Sequence, residues 1–237
     1  MLSLFSSCIQ ENNCKELIKE QKENVKIDTL PYFTETIDPY ISIYEEALPA
    51  DLCDKIIKLY AKNKHLHFEG RTLSGLTSDI KKTTDMSLTK GDDLELNTID
   101  GLLKNNLGHH MEKYVMKTLG TCDNRYLAQG EMHDTGYQLQ KYNKNEGLYN
   151  THTDDSSQIL SNEIHSRVVT FIWYLNDVSE GGETVFINKC KIKPKKGNLL
   201  IFPSLWTYPH CGMVPESNDK YIVTGWMYMS TNNIQNI

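Results

Sequence analysis

The segment Arg167-Val168-Val169-Thr170-Phe171-Ile172-Trp173-Tyr174-Leu175-Asn176 is dominated by β-branched and aromatic residues, which favour an extended backbone. Five further segments in the second half of the chain have strand character and are separated by turns. They are Gly136 to Tyr142, Gly182 to Ile187, Lys189 to Ile192, Leu199 to Phe202 and Lys220 to Met229. Many short strands joined by turns predict a β-sandwich or a barrel.

The first half of the chain has helical periodicity. After a short strand at Ile41 to Tyr44, the sequence Pro49-Ala50-Asp51 opens a segment whose apolar residues recur at helical spacing. These residues are Leu52, Ile56, Leu59 and Tyr60. A second helix is predicted between Thr98 and Leu119, and Gly120 would end it. Helices followed by strands predict an α+β domain in which the helices buttress one face of the barrel.

The domain organisation follows from the composition along the chain. Residues 1–37 are polar and rich in Lys, Glu and Asn, with few apolar anchors, so we predict a peripheral or mobile N-terminal extension. The chain has 237 residues, of which 39% are hydrophobic, and this is enough for one large domain with a sizeable core. We therefore predict one domain over residues 38–237, with its barrel core at about 126–230.

Charge and cysteine content limit the partners and the compartment. The net charge is −6, which disfavours nucleic acid as a partner. No apolar run approaches the roughly 18 residues of a membrane-spanning helix, and Leu2 to Ile9 lacks the basic region of a signal peptide. The six cysteines include no C-x-x-C pair, so reduced thiols in a cytoplasmic protein are the expectation.

The sequence His152-Thr153-Asp154 can hold a metal ion. On an extended backbone the first and third side chains point to the same side, so an imidazole and a carboxylate converge. His210, beside a later strand, is available as a third ligand. Two His and one carboxylate leave coordination positions open, as in the facial triad of non-haem Fe(II) oxygenases.

A lysine on the predicted last strand could bind a cosubstrate. In Lys220-Tyr221-Ile222-Val223-Thr224-Gly225-Trp226 the alternate residues share one face, which includes Lys220, Thr224 and Trp226. An inward ammonium group needs a charged partner. A dicarboxylate bound to the metal through one end would place its other carboxylate deeper in the barrel, where Lys220 could pair with it.

Together with their neighbours, these residues form a pattern that extends from about Tyr40 to Met229. The matching positions are Tyr142, His152-x-Asp154, Arg167 to Asn176, Gly181-Gly182-Glu183-Thr184-x-Phe186, Pro194-x-x-Gly197, Phe202-Pro203 and His210 to Lys220. The pattern resembles that of the iron(II)- and 2-oxoglutarate-dependent dioxygenases, specifically the prolyl 4-hydroxylase branch. This resemblance implies a double-stranded β-helix, the jelly-roll barrel, buttressed by N-terminal helices.

The resemblance also implies roles for individual residues. His152, Asp154 and His210 would hold Fe(II), and Lys220 would pair with the distal carboxylate of 2-oxoglutarate. Three further residues match positions that line or hydrogen-bond the cosubstrate in relatives: Tyr142, Tyr174 and Thr224. Two more match positions near the substrate mouth of hypoxia-sensing prolyl hydroxylases: Arg167 and Trp226.

The reaction implied by the resemblance is hydroxylation of a C–H bond, with O2 and 2-oxoglutarate as cosubstrates, release of succinate and CO2, and ascorbate in a supporting role. The expected substrate is a prolyl residue in a protein or peptide, hydroxylated at C4. Two alternatives stay open at this point. One is the same chemistry on a free amino acid, another side chain or a nucleic-acid base, and the other is a catalytically silent barrel that serves as a binding module.

Overall fold

A computed structural model of the chain describes residues 15–23, 27–34, 37–72, 75, 79–89, 93–120, 132–160 and 163–231. Its helices are α1 (residues 15–23), α2 (Ala50–Lys62) and α3 (Leu94–Leu119), with 3-10 turns at Ile27–Thr29 and Lys64–Leu66. Among the described residues, no helix combines the length and the apolar character that a membrane crossing requires.

The strands follow in chain order. The first seven are β1 (Ser42–Tyr44), β2 (Phe68–Glu69), β3 (Lys81–Lys82), β4 (Thr84–Ser87), β5 (Met132–Asp134), β6 (Gln138–Tyr142) and β7 (Leu148–His152). The others are β8 (Ser157–Leu160), β9 (Glu163–Tyr174), β10 (Thr184–Phe186), β11 (Cys190–Ile192), β12 (Leu199–Pro203), β13 (His210–Gly212) and β14 (Lys220–Thr231). All six strands predicted in the second half of the chain are present, with shifts at their ends.

Helix α3 begins four residues before the position predicted from its apolar spacing. The side chain of Asp93 accepts hydrogen bonds from the backbone N–H groups of Glu95 (2.7 Å) and Leu96 (3.1 Å), so it caps the first turn. At the other end Gly120 has φ of 70°, the left-handed conformation that closes a helix. The end of the helix was therefore predicted from Gly120, whereas its start depends on a cap outside the apolar pattern.

The described strands form two antiparallel sheets. The larger has the order β1-β12-β9-β14-β6-β4-β2, with β5 added to β14 and β8 to β9. The smaller has the order β11-β10-β13-β7-β3. The chain crosses between the two sheets several times, since β3, β7, the β10–β11 pair and β13 belong to the smaller sheet and the strands between them to the larger. This is the predicted double-stranded β-helix within an α+β fold.

Strand β9 separates two apolar layers by the alternation of its side chains. Phe171 and Trp173 point to one side and pack in the cluster that includes residues of α2 and α3. Ile172 and Tyr174 point to the other side and pack inside the barrel. The indole Nε1 of Trp173 donates to Oδ1 of Asn106 in α3 at 3.0 Å. The helices thus buttress the outer face of the larger sheet, as predicted.

The described part of residues 1–37 contacts the smaller sheet. Tyr32 forms a parallel β-bridge with Lys191, and Phe33 donates its backbone N–H to the carbonyl of Lys191 at 3.0 Å. Ile27 is 3% exposed and lies in an apolar cluster with residues of β10 and β13. The domain boundary at residue 37 stays a prediction.

Candidate active site

The structure brings His152, Asp154 and His210 together. His152 is the last residue of β7 and pairs directly with His210, the first residue of β13, because the two strands are antiparallel neighbours. Nε2 of each histidine lies 3.6 Å from a carboxylate oxygen of Asp154. One possible ligand atom from each residue falls within 4.8 Å of the others. Three side chains separated by up to 58 positions therefore share one centre.

Both imidazoles are oriented by backbone carbonyl groups. Nδ1 of His152 lies 2.8 Å from the carbonyl oxygen of Asn150, and Nδ1 of His210 lies 3.0 Å from that of Tyr208. Each Nδ1–H therefore donates outward, and the Nε2 lone pair of each ring faces Asp154 and the centre. The ring of His152 is also stacked on that of Tyr149, with 3.5 Å between their centroids.

The Asp154 carboxylate is held by a chain of hydroxyl groups. Thr170 Oγ1 donates to Oδ2 of Asp154 at 2.7 Å, and Ser204 Oγ lies 2.8 Å from Thr170 Oγ1. Burial favours the neutral acid, but the two histidines and the Thr170 hydroxyl outweigh it and lower the pKa of Asp154. The group is therefore an anion at neutral pH.

This donor set fits Fe(II). Burial, together with the nearby His210, lowers the pKa of His152 to about 3, so its imidazole is in the neutral form that binds metals. No fourth His, Cys, Asp or Glu joins the cluster within the described part of the chain. Two imidazoles and one carboxylate with open positions match an Fe(II) facial triad better than a closed structural zinc site.

Behind the triad lies a cavity of about 40 Å3, which we call the inner cavity. Its walls include all four residues predicted to share the inward face of β14: Lys220, Ile222, Thr224 and Trp226. Lys220 is 1% exposed, donates from Nζ to the carbonyl of Gly182 at 2.8 Å, and lies 4.6 Å above the ring of Tyr142. Burial lowers the pKa of Lys220 to about 8. The Glu183 carboxylate acts in the opposite direction and favours the charged ammonium, but burial is the larger effect.

The other residues predicted to line the cosubstrate site occupy two layers. Tyr142 and Thr224 line the inner cavity, where the Tyr142 hydroxyl donates to Oε1 of Gln140 at 3.1 Å. Burial raises the pKa of Tyr142 well above its usual range, so its hydroxyl stays protonated. Tyr174 lies behind this wall, and its hydroxyl donates to Oγ1 of the lining residue Thr184 at 2.8 Å.

On the solvent side of the triad, a cleft of about 690 Å3 opens to the surface, and we call it the outer cleft. Arg167 and Trp226 both line it, as does Tyr228. The Arg167 guanidinium stacks on the Trp226 ring at 3.7 Å and donates from Nε to the Tyr228 hydroxyl at 3.1 Å. His152 and Asp154 border both spaces, so the triad lies between them.

Several residues around the triad were missed from the sequence. Thr170 was not assigned a role, and Tyr149 was not identified. A buried ion pair between Lys81 and Asp85, 2.9 Å long, also lies beside the site, since Lys81 Nζ is 5.2 Å from the centre of the Tyr149 ring. No local pattern indicated the Thr170–Asp154 bond or the Lys81–Tyr149 contact, because each joins different elements of the fold.

A sequence model described as the 2OG-Fe(II) oxygenase superfamily matches residues 137–228. This segment contains the triad, Lys220 and the other described residues that line the inner cavity. Residues 137–228 belong to the 2OG-Fe(II) oxygenase superfamily. Such oxygenases use Fe(II) with 2-oxoglutarate and O2 as cosubstrates, and the donor set described above fits that iron. Among curated protein sequences, none matches the chain.

Solved structures similar to this chain include three prolyl hydroxylases. The viral collagen prolyl hydroxylase vCPH of Paramecium Bursaria Chlorella virus-1, in its 2OG complex, is 21% identical with a TM-score of 0.56, covering 80% of this chain and 96% of its own. A prolyl-4-hydroxylase of Pseudomonas putida is 15% identical with a TM-score of 0.58, covering 90% and 97%.

The third is a prolyl hydroxylase of Trichoplax adhaerens in complex with a hypoxia inducible factor oxygen degradation domain peptide fragment. It is 17% identical with a TM-score of 0.59, covering 95% of this chain and 92% of its own. At these identities the similarity establishes a shared, prolyl hydroxylase-like fold.

Proposed function

We propose that this oxygenase hydroxylates C4 of a prolyl residue in a protein or peptide. The observation that carries the proposal is the position of the triad between a small inner cavity, which ends at a buried ammonium group, and an open outer cleft. The first suits a small dicarboxylate and the second suits a larger chain. The three prolyl hydroxylases of the same fold support this choice of substrate.

In this proposal His152, Asp154 and His210 bind Fe(II) through Nε2, a carboxylate oxygen and Nε2. The iron and 2-oxoglutarate, when bound, supply the oxidation of a C–H bond with O2 and the release of succinate and CO2. The carbonyl groups of Asn150 and Tyr208 keep the two imidazoles in the tautomer that offers Nε2. Thr170 keeps the Asp154 carboxylate anionic and directed to the centre.

In the same proposal Lys220 is the partner of the distal carboxylate of 2-oxoglutarate. Its ammonium has the Gly182 carbonyl as a neutral acceptor and lies in a site from which water is excluded. A bound carboxylate would add a counter-charge in direct contact with Nζ and make a charge-assisted hydrogen bond. Tyr142 and Thr224 present hydroxyl groups in the same cavity, and we propose that they position the cosubstrate, with Tyr174 supporting this wall through Thr184.

In the outer cleft, we propose that Arg167 and Trp226 contact the peptide. Their stacking leaves a flat cationic surface beside Asp154, against which an extended chain can lie. The mouth of the cleft is open enough for a residue within a polypeptide to approach the triad. Ascorbate as a supporting factor is a further part of this proposal.

The test is coupled turnover on matched substrates. Purified protein with Fe(II) and 2-oxoglutarate is incubated with a proline-containing peptide, the same peptide with proline replaced by alanine, free proline, and a methylated oligonucleotide. We expect succinate and a gain of one oxygen atom, at C4 of proline, with the first peptide alone. Each reaction is repeated with and without ascorbate, which we expect to extend turnover.

Oxidation of only free proline or the oligonucleotide would refute the peptidyl-proline substrate and leave the oxygenase chemistry intact. Absence of 2-oxoglutarate decarboxylation with every substrate, despite iron binding, would instead favour a silent binding module.

A further inference from the structure

The outer face of strand β13 is held by a residue from the N-terminal part of the chain. Gln21 of helix α1 donates from Nε2 to the carbonyl of Gly212 at 3.2 Å, and its Oε1 accepts from the backbone N–H of Val214 at 3.1 Å. Gln21 is 7% exposed, so both ends of its amide are used in a buried setting. Losing such a hydrogen bond costs the most free energy when the backbone partner has no access to water.

The two residues bound by Gln21 lie next to the closed end of the inner cavity. Gly212 lines that cavity, and a Cβ atom at this position would lie 3.2 Å from Cε1 of Tyr142, so its backbone packs closely on that ring. The carbonyl of Val214 accepts from the N–H of Gly182 at 3.0 Å, and Gly182 in turn accepts the bond from Lys220. Gln21 is therefore bonded directly to one residue of the proposed 2-oxoglutarate pocket, Gly212. Through Val214 and Gly182 it is also linked to Lys220.

Further contacts fix the same segment beside β13. Lys22 forms an ion pair with Glu216 at 2.8 Å, just after Val214. Ile27 packs with Cys211 and Met213, which alternate along the chain with the pocket residues His210 and Gly212. A segment predicted to be peripheral or mobile thus covers the rear of the strand that carries His210.

We propose that Gln21 is a positioning residue for the 2-oxoglutarate pocket, an inference that rests on the proposed function. It holds Gly212 and Val214 at the spacing that keeps Tyr142 and the Lys220–Gly182 contact in place. Loss of its amide would loosen the closed end of the pocket without touching the metal ligands, whose own bonds go to Asn150, Tyr208 and Thr170.

The experiment compares Gln21→Ala and Gln21→Met with wild type. Methionine keeps most of the side-chain volume and removes both hydrogen bonds, so it separates bonding from packing and preserves the fold if alanine does not. Binding of 2-oxoglutarate is measured by calorimetry on the 237-residue chain loaded with Mn(II), which avoids turnover. We expect both variants to bind 2-oxoglutarate roughly 3- to 10-fold more weakly, with Mn(II) affinity near that of wild type.

A second measurement is independent of turnover and of the cosubstrate. Amide hydrogen exchange should accelerate at Val214, which loses its acceptor in both variants. The matched control is Lys19→Ala on the exposed side of α1, where the Lys19–Glu23 ion pair is open to solvent. This control should leave both measurements unchanged.

The outcomes separate the two proposals. If wild type binds 2-oxoglutarate and both variants bind it equally well, the role of Gln21 is refuted and the proposed function stands. A loss in Gln21→Ala that is absent in Gln21→Met would also refute it, because packing alone would then explain the effect. If wild type itself binds no 2-oxoglutarate, the proposed function fails.

Discussion

The inner cavity and the outer cleft meet at the same three side chains but differ in size, burial and chemistry. The inner cavity is about 40 Å3 and ends at Lys220, which is 1% exposed. The outer cleft is about 690 Å3 and is lined by half-buried residues such as Arg167 and Trp226. A charge in the first is worth more than a charge in the second, because water screens the second. Substitutions should therefore have graded effects from the triad outward.

The largest effect is expected at the centre that both spaces share. Asp154→Ala should abolish decarboxylation of 2-oxoglutarate and lower iron affinity by more than about 100-fold, since even contacts that only orient ligands typically contribute 10- to 100-fold. Iron titration and succinate production measure this. The matched control is Asp155→Ala, which removes an exposed carboxylate one residue away. Near-wild-type turnover of Asp154→Ala at saturating iron would refute the assignment of the triad.

The inner cavity is tested by Lys220→Ala. Losing one partner of a desolvated charge pair typically costs ~2–5 kcal/mol, so the KM for 2-oxoglutarate should rise roughly 30- to several-thousand-fold. Iron affinity should change far less. Lys193→Ala, at an exposed lysine, is the control. An unchanged KM would assign the carboxylate to another cation, with Arg167 the next candidate.

The same lysine predicts a pH dependence. Burial lowers the pKa of Lys220 to about 8, and only the charged form offers an ammonium to the carboxylate. Affinity for 2-oxoglutarate should therefore be constant below pH 8 and fall above it, by roughly tenfold at pH 9. Calorimetry with the Mn(II)-loaded protein measures this. Lys220→Arg stays charged and should show a flat profile if it binds the cosubstrate, so an equal fall in both proteins would contradict the assignment.

The smallest effect is expected in the outer cleft. Arg167→Ala removes the stacking on Trp226, an interaction worth ~0.5–2 kcal/mol, so the KM for a peptide substrate should rise roughly 2- to 30-fold. Decarboxylation of 2-oxoglutarate in the absence of peptide should stay unchanged. An effect on that uncoupled reaction, with no effect on the peptide, would place the role of Arg167 in the inner cavity instead.

Much of the site could be predicted because strands alternate. The period of two placed Lys220, Ile222, Thr224 and Trp226 on one face, and all four line the inner cavity. The same rule brought His152 and Asp154 to one side, and the structure places His210, the third ligand proposed from the sequence, beside them. The roles of these residues, including that of Tyr174, stay predictions.

Local sequence patterns predicted α2, α3, seven of the fourteen described strands, the α+β class and the residue types that can hold iron. The contacts that support these residues depend on how distant segments pack together. The register that pairs His152 with His210, the Thr170–Asp154 bond and the bonds of Gln21 all join separate elements. Periodicity sets the face on which a side chain lies, whereas the partner across a sheet depends on register between segments far apart in the chain. Local patterns carry no information about that register.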